Sequence, residues 1–304
     1  MNGVIALFKE RGMTSFDCIS ALRKILHTKK IGHTGTLDPD VDGVLPICVG
    51  EATKISEIVM NSGKTYQGSI TLGLATDTED ITGNIIETLP ITKPFSDADI
   101  NAILLKLTGE IQQIPPMYSA VKINGRKLYE YAREGIEVKR SSRTIKIDSF
   151  TQIRPTEYDA EKQQQTIYFE VSCSKGTYVR TLASDFGKLI GVPAVMSRLT
   201  RIKSGGFTIN ETNTLAEVQA AMNEERLTEV LKPLNEALSA FPAMILDEDR
   251  YQRVKNGGFI TPLESMSTNN KIVRIIYHDE LLALYQFDRS KQLYRPYKMF
   301  IHNN

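Results

Sequence analysis

The chain has 304 residues, of which 41% are apolar and 24% charged, with a formal net charge of +1. That length favours one large and one small domain, and the absence of any run of about 18 apolar residues argues against a membrane span. The apolar patch at residues 4–8 lacks the flanks of a secretory signal, and Cys18, Cys48 and Cys173 make neither a disulfide framework nor a zinc pattern, so a reducing cytoplasm is the expected location. Charge is segregated. Residues 122–146 carry eight Lys/Arg against three Glu, 175–203 carry six against one Asp, and 74–99 carry six Asp/Glu against one Lys. This arrangement suits a basic face for a polyanion, although solvated surface explains it equally well.

A first helix is predicted over 14–27, where Thr14 or Ser15 caps an apolar stripe of Ile19, Leu22, Ile25 and Leu26. Residues 32–50, rich in glycine and proline, read as an ordered loop entering a short strand at 44–49. Alternation predicts a strand at 66–74. Residues 96–107 form a helix opened by a Ser96/Asp99 capping box. A strand at 167–173 precedes a helix over 177–190 that stops at Gly191-Val192-Pro193. Helical patterns follow at 215–222 and 227–238. From Pro242 onward short β-like runs (272–277, 281–287) are separated by polar turns, one of them at 265–271. Strands and helices are interspersed without βαβ regularity, so the fold class is α+β, with a small β-rich domain over 241–304 after a larger one over 1–240.

No phosphate loop, nucleophile elbow or His-Glu-x-x-His helix is present, so the sequence demands neither a nucleotide nor a metal, and no cofactor is expected. The unusual stretch is Gly32-His33-Thr34-Gly35-Thr36-Leu37-Asp38-Pro39-Asp40-Val41-Asp42-Gly43. Asp38 precedes a proline, which disfavours the α conformation and holds it in extended or turn geometry. Such an aspartate can be a nucleophile, a general base or a metal ligand, or can simply hydrogen-bond its own turn.

The stretch resembles the catalytic motif of the TruB family of pseudouridine synthases, whose hallmark is an aspartate in a Gly-Thr-Leu-Asp-Pro loop. Four further segments resemble the family in the same order: Lys9-Glu10-Arg11-Gly12-Met13-Thr14-Ser15; Tyr66-Gln67-Gly68 continuing through Thr76-Asp77-Thr78-Glu79-Asp80; Pro115-Pro116-Met117-Tyr118-Ser119-Ala120-Val121-Lys122; and Cys173-Ser174-Lys175-Gly176-Thr177-Tyr178-Val179-Arg180-Thr181-Leu182. The resemblance spans roughly residues 5–205 and implies a catalytic domain around a mainly antiparallel sheet with a cleft, followed by a PUA-like C-terminal domain. It further implies isomerisation of uridine-55 in the TΨC loop of tRNA, with no obligatory protein partner and no membrane.

By that resemblance Asp38 is the nucleophile, in a pocket closed to water. It attacks C6 of the base or C1′ of the sugar, the latter also by way of a glycal. Arg180 pairs with it, and a guanidinium fork suits that task because it stays charged and aims a carboxylate. Tyr66 stacks on the uracil and helps remove the C5 proton. Tyr178 and Leu199 line the uridine pocket, the latter on the shorter match Ser197-Arg198-Leu199-Thr200-Arg201. His33 fills the gap left in the RNA, and Lys9 supports the site from behind. Read without the resemblance, Tyr66 and Leu199 are core residues, His33 bonds within the glycine loop, and Arg180 is an ordinary surface or phosphate-contacting arginine.

A buried uridine must be flipped out, at a cost of a few kcal/mol that phosphate contacts from the basic segments offset. The segment 115–146 is expected to cover the RNA and to order fully only with RNA bound. Three residues depart from the family pattern. Glu10 replaces a usual proline, and Val41 and Asp42 replace small residues. Asp40 and Asp42 would repel phosphate if they faced the pocket, so they are expected to point to solvent or cap the turn. In the C-terminal domain Arg250, Arg253, Lys255, Arg289, Lys291, Arg295 and Lys298 offer contacts to the acceptor end of tRNA, or serve structure alone. Two other readings share parts of the pattern. A non-catalytic RNA-binding protein or chaperone would give Asp38 no role. A hydrolase with an aspartate nucleophile would need a second acid/base carboxylate.

Overall fold

Strands with two apolar faces and strands with one meet in a single ten-stranded sheet, in a computed structural model that describes residues 1–263 and 271–300. The path runs Leu231–Lys232, Gly3–Lys9, Asp42–Val49, Ala194–Ser204, Lys64–Leu72, Gln164–Cys173, Arg143–Asp159 and Gly109–Gln113. Ile31–His33 pairs to one side of Asp42–Val49, and Phe207–Thr208 beside Ala194–Ser204. The pairings are antiparallel except between Asp42–Val49 and Ala194–Ser204, where Thr200 lies opposite Asp42 and Arg201 opposite Gly43. The fold is α+β around a mainly antiparallel sheet, as expected.

Helices Ser15–Ile25, Asp97–Lys106, Val179–Ile190 and Leu215–Asn223 contribute Cys18, Leu22, Ile103, Phe186 and Val218 to a core that covers one face of the sheet. Their ends follow the sequence signals. Thr14 with Asp17 and Ser96 with Asp99 form complete capping boxes, and Gly191 closes its helix at φ 88°, a left-handed value that glycine adopts without strain. The strands nearest the N-terminus are apolar on both faces. Ile5, Leu7, Leu45 and Ile47 join the helix-covered core, while Val4, Ala6, Val44 and Cys48 join a second core on the opposite face.

That second core is completed by Leu284 and Phe300 from a four-stranded sheet, Ala243–Ile245, Ile272–Tyr277, Glu280–Asp288 and Leu293–Met299, which carries the helix Glu248–Lys255 and its own cluster of Met244, Val254, Ile275, Tyr285 and Tyr294. The expected boundary at 240 falls between the helix Leu234–Ala237 and the strand Ala243–Ile245. The polar turn expected at 265–271 lies, apart from Lys271, outside the described residues.

Several expectations need correction. The helix expected over 227–238 is a 3₁₀ turn Leu227–Glu229, a short strand Leu231–Lys232 and the helix Leu234–Ala237, because Pro233 cannot donate to a continuing helix. The helix expected from 177 starts at Val179, with Tyr178 as its extended N-cap. Arg143–Asp159, 17 residues long, was hidden in the sequence by register shifts that break its alternation. Among the described residues no helix is long and apolar enough to cross a membrane.

Candidate active site

Residues 34–41 loop out between Ile31–His33 and Asp42–Val49, and their turns are pinned from below. Val41 N–H donates to the Asp38 carbonyl at 3.1 Å, closing a turn around Pro39, and Gly12 N–H donates to the Pro39 carbonyl at 2.9 Å. Leu37 N–H donates to Ser15 Oγ at 2.9 Å, which returns a bond to the Leu37 carbonyl at 3.2 Å. Leu37 and Val41 bury their side chains in the core. Lys9, fully buried, donates from Nζ to the carbonyls of Met13 at 2.6 Å, Glu10 at 3.0 Å and Pro39 at 3.2 Å. Burial pushes this ammonium below its ordinary pKa, while Cys18, Asp42, Asp38 and Asp40 pull it back up. Its place is behind the Asp38 turn, outside the cleft.

Arg201, 1% exposed, secures the other side of the loop. It donates to the carbonyls of Val44 at 2.7 Å, Gly35 at 3.3 Å and Thr36 at 3.4 Å. The parallel pairing that brings it there requires Gly43, because a Cβ at that position would stand 2.2 Å from the Arg201 carbonyl oxygen.

Arg180 sits in the first turn of Val179–Ile190 and is nearly buried. Its Nη2 lies 3.1 Å from Asp38 Oδ2 and 2.9 Å from the Tyr118 carbonyl; its Nη1 donates to the Thr78 carbonyl at 3.1 Å and approaches Asp80 Oδ2 at 3.5 Å. One guanidinium therefore spans two carboxylates and two carbonyls, which fixes its plane and leaves the Asp38 carboxylate aimed rather than free to rotate. Asp38 itself is 48% exposed, so the pocket closed to water that was expected does not exist in the free protein.

The Asp38–Arg180 pair opens onto a cleft of about 670 Å³ that Tyr66, Tyr178 and Leu199 also line. Tyr66 is buried, and burial pushes its phenol above the ordinary value, while the Arg201 charge pulls the other way. Leu199, 5% exposed, belongs both to the core and to the cleft wall, so the two readings of it are one. Tyr178 is held through its backbone by the buried amide of Gln113, which donates to its carbonyl at 3.0 Å and accepts from its N–H at 2.8 Å. The Arg143 guanidinium lies over its ring at 4.9 Å. His33 is not part of the cleft lining. Its Nδ1 accepts from Gly35 N–H at 3.3 Å, and burial, followed by the Arg201 charge, lowers its pKa and keeps it neutral.

Asp40 is exposed, as expected. Asp42 is not. It neither points to solvent nor caps the turn, but accepts from Arg11 Nε at 2.8 Å and Nη2 at 3.3 Å, while Arg11 also donates to the Asp40 carbonyl and, at 2.9 Å, to that of Leu199. The carboxylate that departs from the family pattern is thereby neutralised away from the cleft, in a link between the Asp38 loop and the strand carrying Leu199. Glu10 is exposed. Sequence reasoning missed Arg201, Gln113, Lys64 and the share Asp80 takes of Arg180. Arg201 and Asp80 stood within quoted motifs. Gln113 and Lys64 act on backbone carbonyls or amides and left no pattern to find.

A family model described as "TruB family pseudouridylate synthase (N terminal domain)" matches residues 23–179, and one described as "tRNA pseudouridylate synthase B C-terminal domain" matches 180–239. The chain is 53% identical over its full length to the whole of a protein named tRNA pseudouridine synthase B from Lactiplantibacillus plantarum, and 48% identical to one so named from Listeria monocytogenes, with 98% of each chain covered. Among solved structures it resembles a chain of a Cbf5-Nop10-Gar1 complex, with TM-score 0.74 and 25% identity over 98% of this chain and 85% of the other. A chain of an H/ACA RNP bound to a substrate RNA containing 2′-deoxyuridine shares the fold at TM-score 0.72 and 22% identity, over 99% and 86%.

Proposed function

The chain belongs to the TruB family of pseudouridylate synthases, and on that premise we propose that it isomerises uridine-55 in the TΨC loop of tRNA, with Asp38 as covalent nucleophile. The observation that carries this reading is the 3.1 Å contact between Asp38 and the nearly buried Arg180 at the edge of a cleft walled by Tyr66, Tyr178 and Leu199.

The reaction breaks the bond between N1 and C1′, turns the uracil, and forms a bond from C5 to C1′, after which the C5 proton leaves and N1 gains one. No electrons are exchanged with a redox partner and no group is added. A carboxylate divides the hard exchange into two easier ones. Arg180 keeps Asp38 directed at the substrate, while Asp80 and two carbonyls keep Arg180 from swinging after it. Tyr66 offers its ring for stacking on the extruded base, worth about 1–3 kcal/mol. With its phenol pushed up by burial it enters as a neutral hydroxyl, so it could take the C5 proton only after passing its own to solvent or RNA, the Arg201 charge then stabilising the phenolate. Tyr178 and Leu199 complete the walls, and Lys9 holds the Asp38 turn from behind. His33, outside the cleft and neutral, is a flat ring suited to the gap that the extruded nucleotide leaves in the RNA.

RNA closes the half-exposed site, and residues 115–146 fold over it from the Tyr118 side. The 241–304 unit, PUA-like in this reading, extends the contact toward the acceptor end. The tRNA substrate follows the names of the full-length relatives. Incubating the protein with an unmodified tRNA transcript and mapping pseudouridine by carbodiimide-blocked reverse transcription tests the proposal. A single stop at position 55 is expected, and a blank lane or a stop elsewhere rejects it.

A further inference from the structure

One cation in the cleft wall has no task in the chemistry above. Lys64, at the start of the strand Lys64–Leu72, is 8% exposed and lines the cleft beside Tyr66 and Arg201. It also lines a second cavity of about 680 Å³ on the other side of that wall. Its ammonium donates to the Met60 carbonyl at 3.0 Å, and among the described residues no ion pair includes it. The charges that face it are Arg201 on the neighbouring strand and Lys175 in the turn after the next; Cys173 is the remaining titratable neighbour. Asp148, which lines the same second cavity, pairs with Lys146 at 2.7 Å. Gly35, at a φ of 145°, packs directly against this cation: a Cβ there would stand in ordinary contact, 3.4 Å from Lys64 Cε and 3.8 Å from Arg201 Nη1. A buried ammonium with spare donors and no counter-ion is costly to the free fold, and an arriving anion would remove that cost.

We infer that Lys64 receives a backbone phosphate of the extruded nucleotide, at the foot of the Asp38 loop, and so fixes the nucleotide's position relative to Asp38. The inference rests on the proposed uridine isomerisation. The anion is assigned to the RNA because the cavity wall that holds Lys64 is the wall of the uridine cleft, and Asp38, the carboxylate that lines the same cleft, is engaged by Arg180. Desolvation and the neighbouring cations have pulled the Lys64 pKa down to about 8 in the free protein, and a bound phosphate would raise it again.

The test compares wild type with Lys64→Met and Lys64→Arg in binding and turnover of a T-arm RNA. Lys64→Met should weaken binding, reduce the slope of log Kd against log salt by about one, and show its loss chiefly in KM, with Lys64→Arg recovering part of the affinity. Calorimetry at pH 8 in two buffers of different ionisation enthalpy gives a second reading on the unaltered protein: RNA binding should take up about half a proton, and Lys64→Met should abolish that uptake. An unchanged salt slope, or a loss confined to kcat, overturns the phosphate assignment, and so does equal proton uptake by wild type and Lys64→Met. If Lys64→Met does not fold, Lys64→Arg decides: it should keep the wild-type salt slope and lose the proton uptake at pH 8, because a guanidinium is charged before binding, and unchanged uptake overturns the assignment. Pseudouridine formation by wild type in the same samples separates failure here from failure of the proposed activity.

Discussion

The loop that carries Asp38 and the segment at 114–142 face the same cleft with opposite construction. Beneath the loop, Lys9, Ser15 and Arg201 satisfy its carbonyls and amides, and Leu37 and Val41 anchor it in the core. The second segment holds a two-residue hairpin, Lys122–Ile123 with Arg126–Lys127, and a short helix Leu128–Arg133, and from Ala120 to Arg140 only Leu128 is buried. Its basic residues contact partners within the segment: Arg126 pairs with Glu130 and Glu134, and Arg133 and Lys127 lie over Tyr129. A tie to the rest of the site is the Tyr118 carbonyl on Arg180. The Asp38 loop is built in advance; the segment opposite rests on local contacts and is drawn from the less stable end of the molecule.

This contrast can be broken experimentally. The largest effect is expected from Arg180→Met, which removes the partner of Asp38 and releases the Tyr118 carbonyl: kcat should fall roughly 10²–10³-fold, with little recovery in Arg180→Lys, whose point charge cannot span four acceptors. Single-turnover kinetics at saturating RNA measures it. Next, Arg201→Met leaves the Gly35, Thr36 and Val44 carbonyls without their donor, and chemical denaturation should show a loss of about 3 kcal/mol together with weakened catalysis. An equal substitution in the cover, Arg126→Met, should leave the denaturation midpoint almost unmoved because its ion pairs are exposed.

Limited proteolysis sharpens the same point: cleavage within 114–142 should be fast in the free protein and slow with tRNA bound, while the Asp38 loop resists in both. Equal resistance of the two segments without RNA would erase the distinction. Within the loop the smallest effect belongs to Asp42→Asn. Its pair with Arg11 is partly exposed, so a loss of about 0.5–1 kcal/mol is expected, with Leu199 and the cleft wall retained.

How far the site could be read in the sequence follows from the same construction. Asp38, Tyr66, Tyr178, Arg180 and Leu199 come from stretches up to 161 positions apart and line one cleft; each was legible because it lies in a segment that resembles the family. Capped helices were nearly as plain: Ser96/Asp99 signals within four residues, and of the two caps the sequence offered the first helix, Thr14 is the one used, with Asp17 completing its box. What stayed hidden is recognition of backbone by distant side chains. Arg201 binds carbonyls 157–166 positions away and Gln113 binds Tyr178 across 65, and a carbonyl has no letter in the sequence. Asp42 misled for a related reason: its partner, Arg11, lies 31 positions back, in the turn after a strand whose neighbour was unknown.

The central claim is that the Asp38 carboxylate does chemistry while the rest of the cleft holds RNA. Asp38→Asn keeps the shape of the side chain and removes its charge, so tRNA binding and pseudouridine formation should be measured side by side on that variant. Affinity close to wild type with no pseudouridine at position 55 is the predicted result; isomerisation at a near wild-type rate would contradict it.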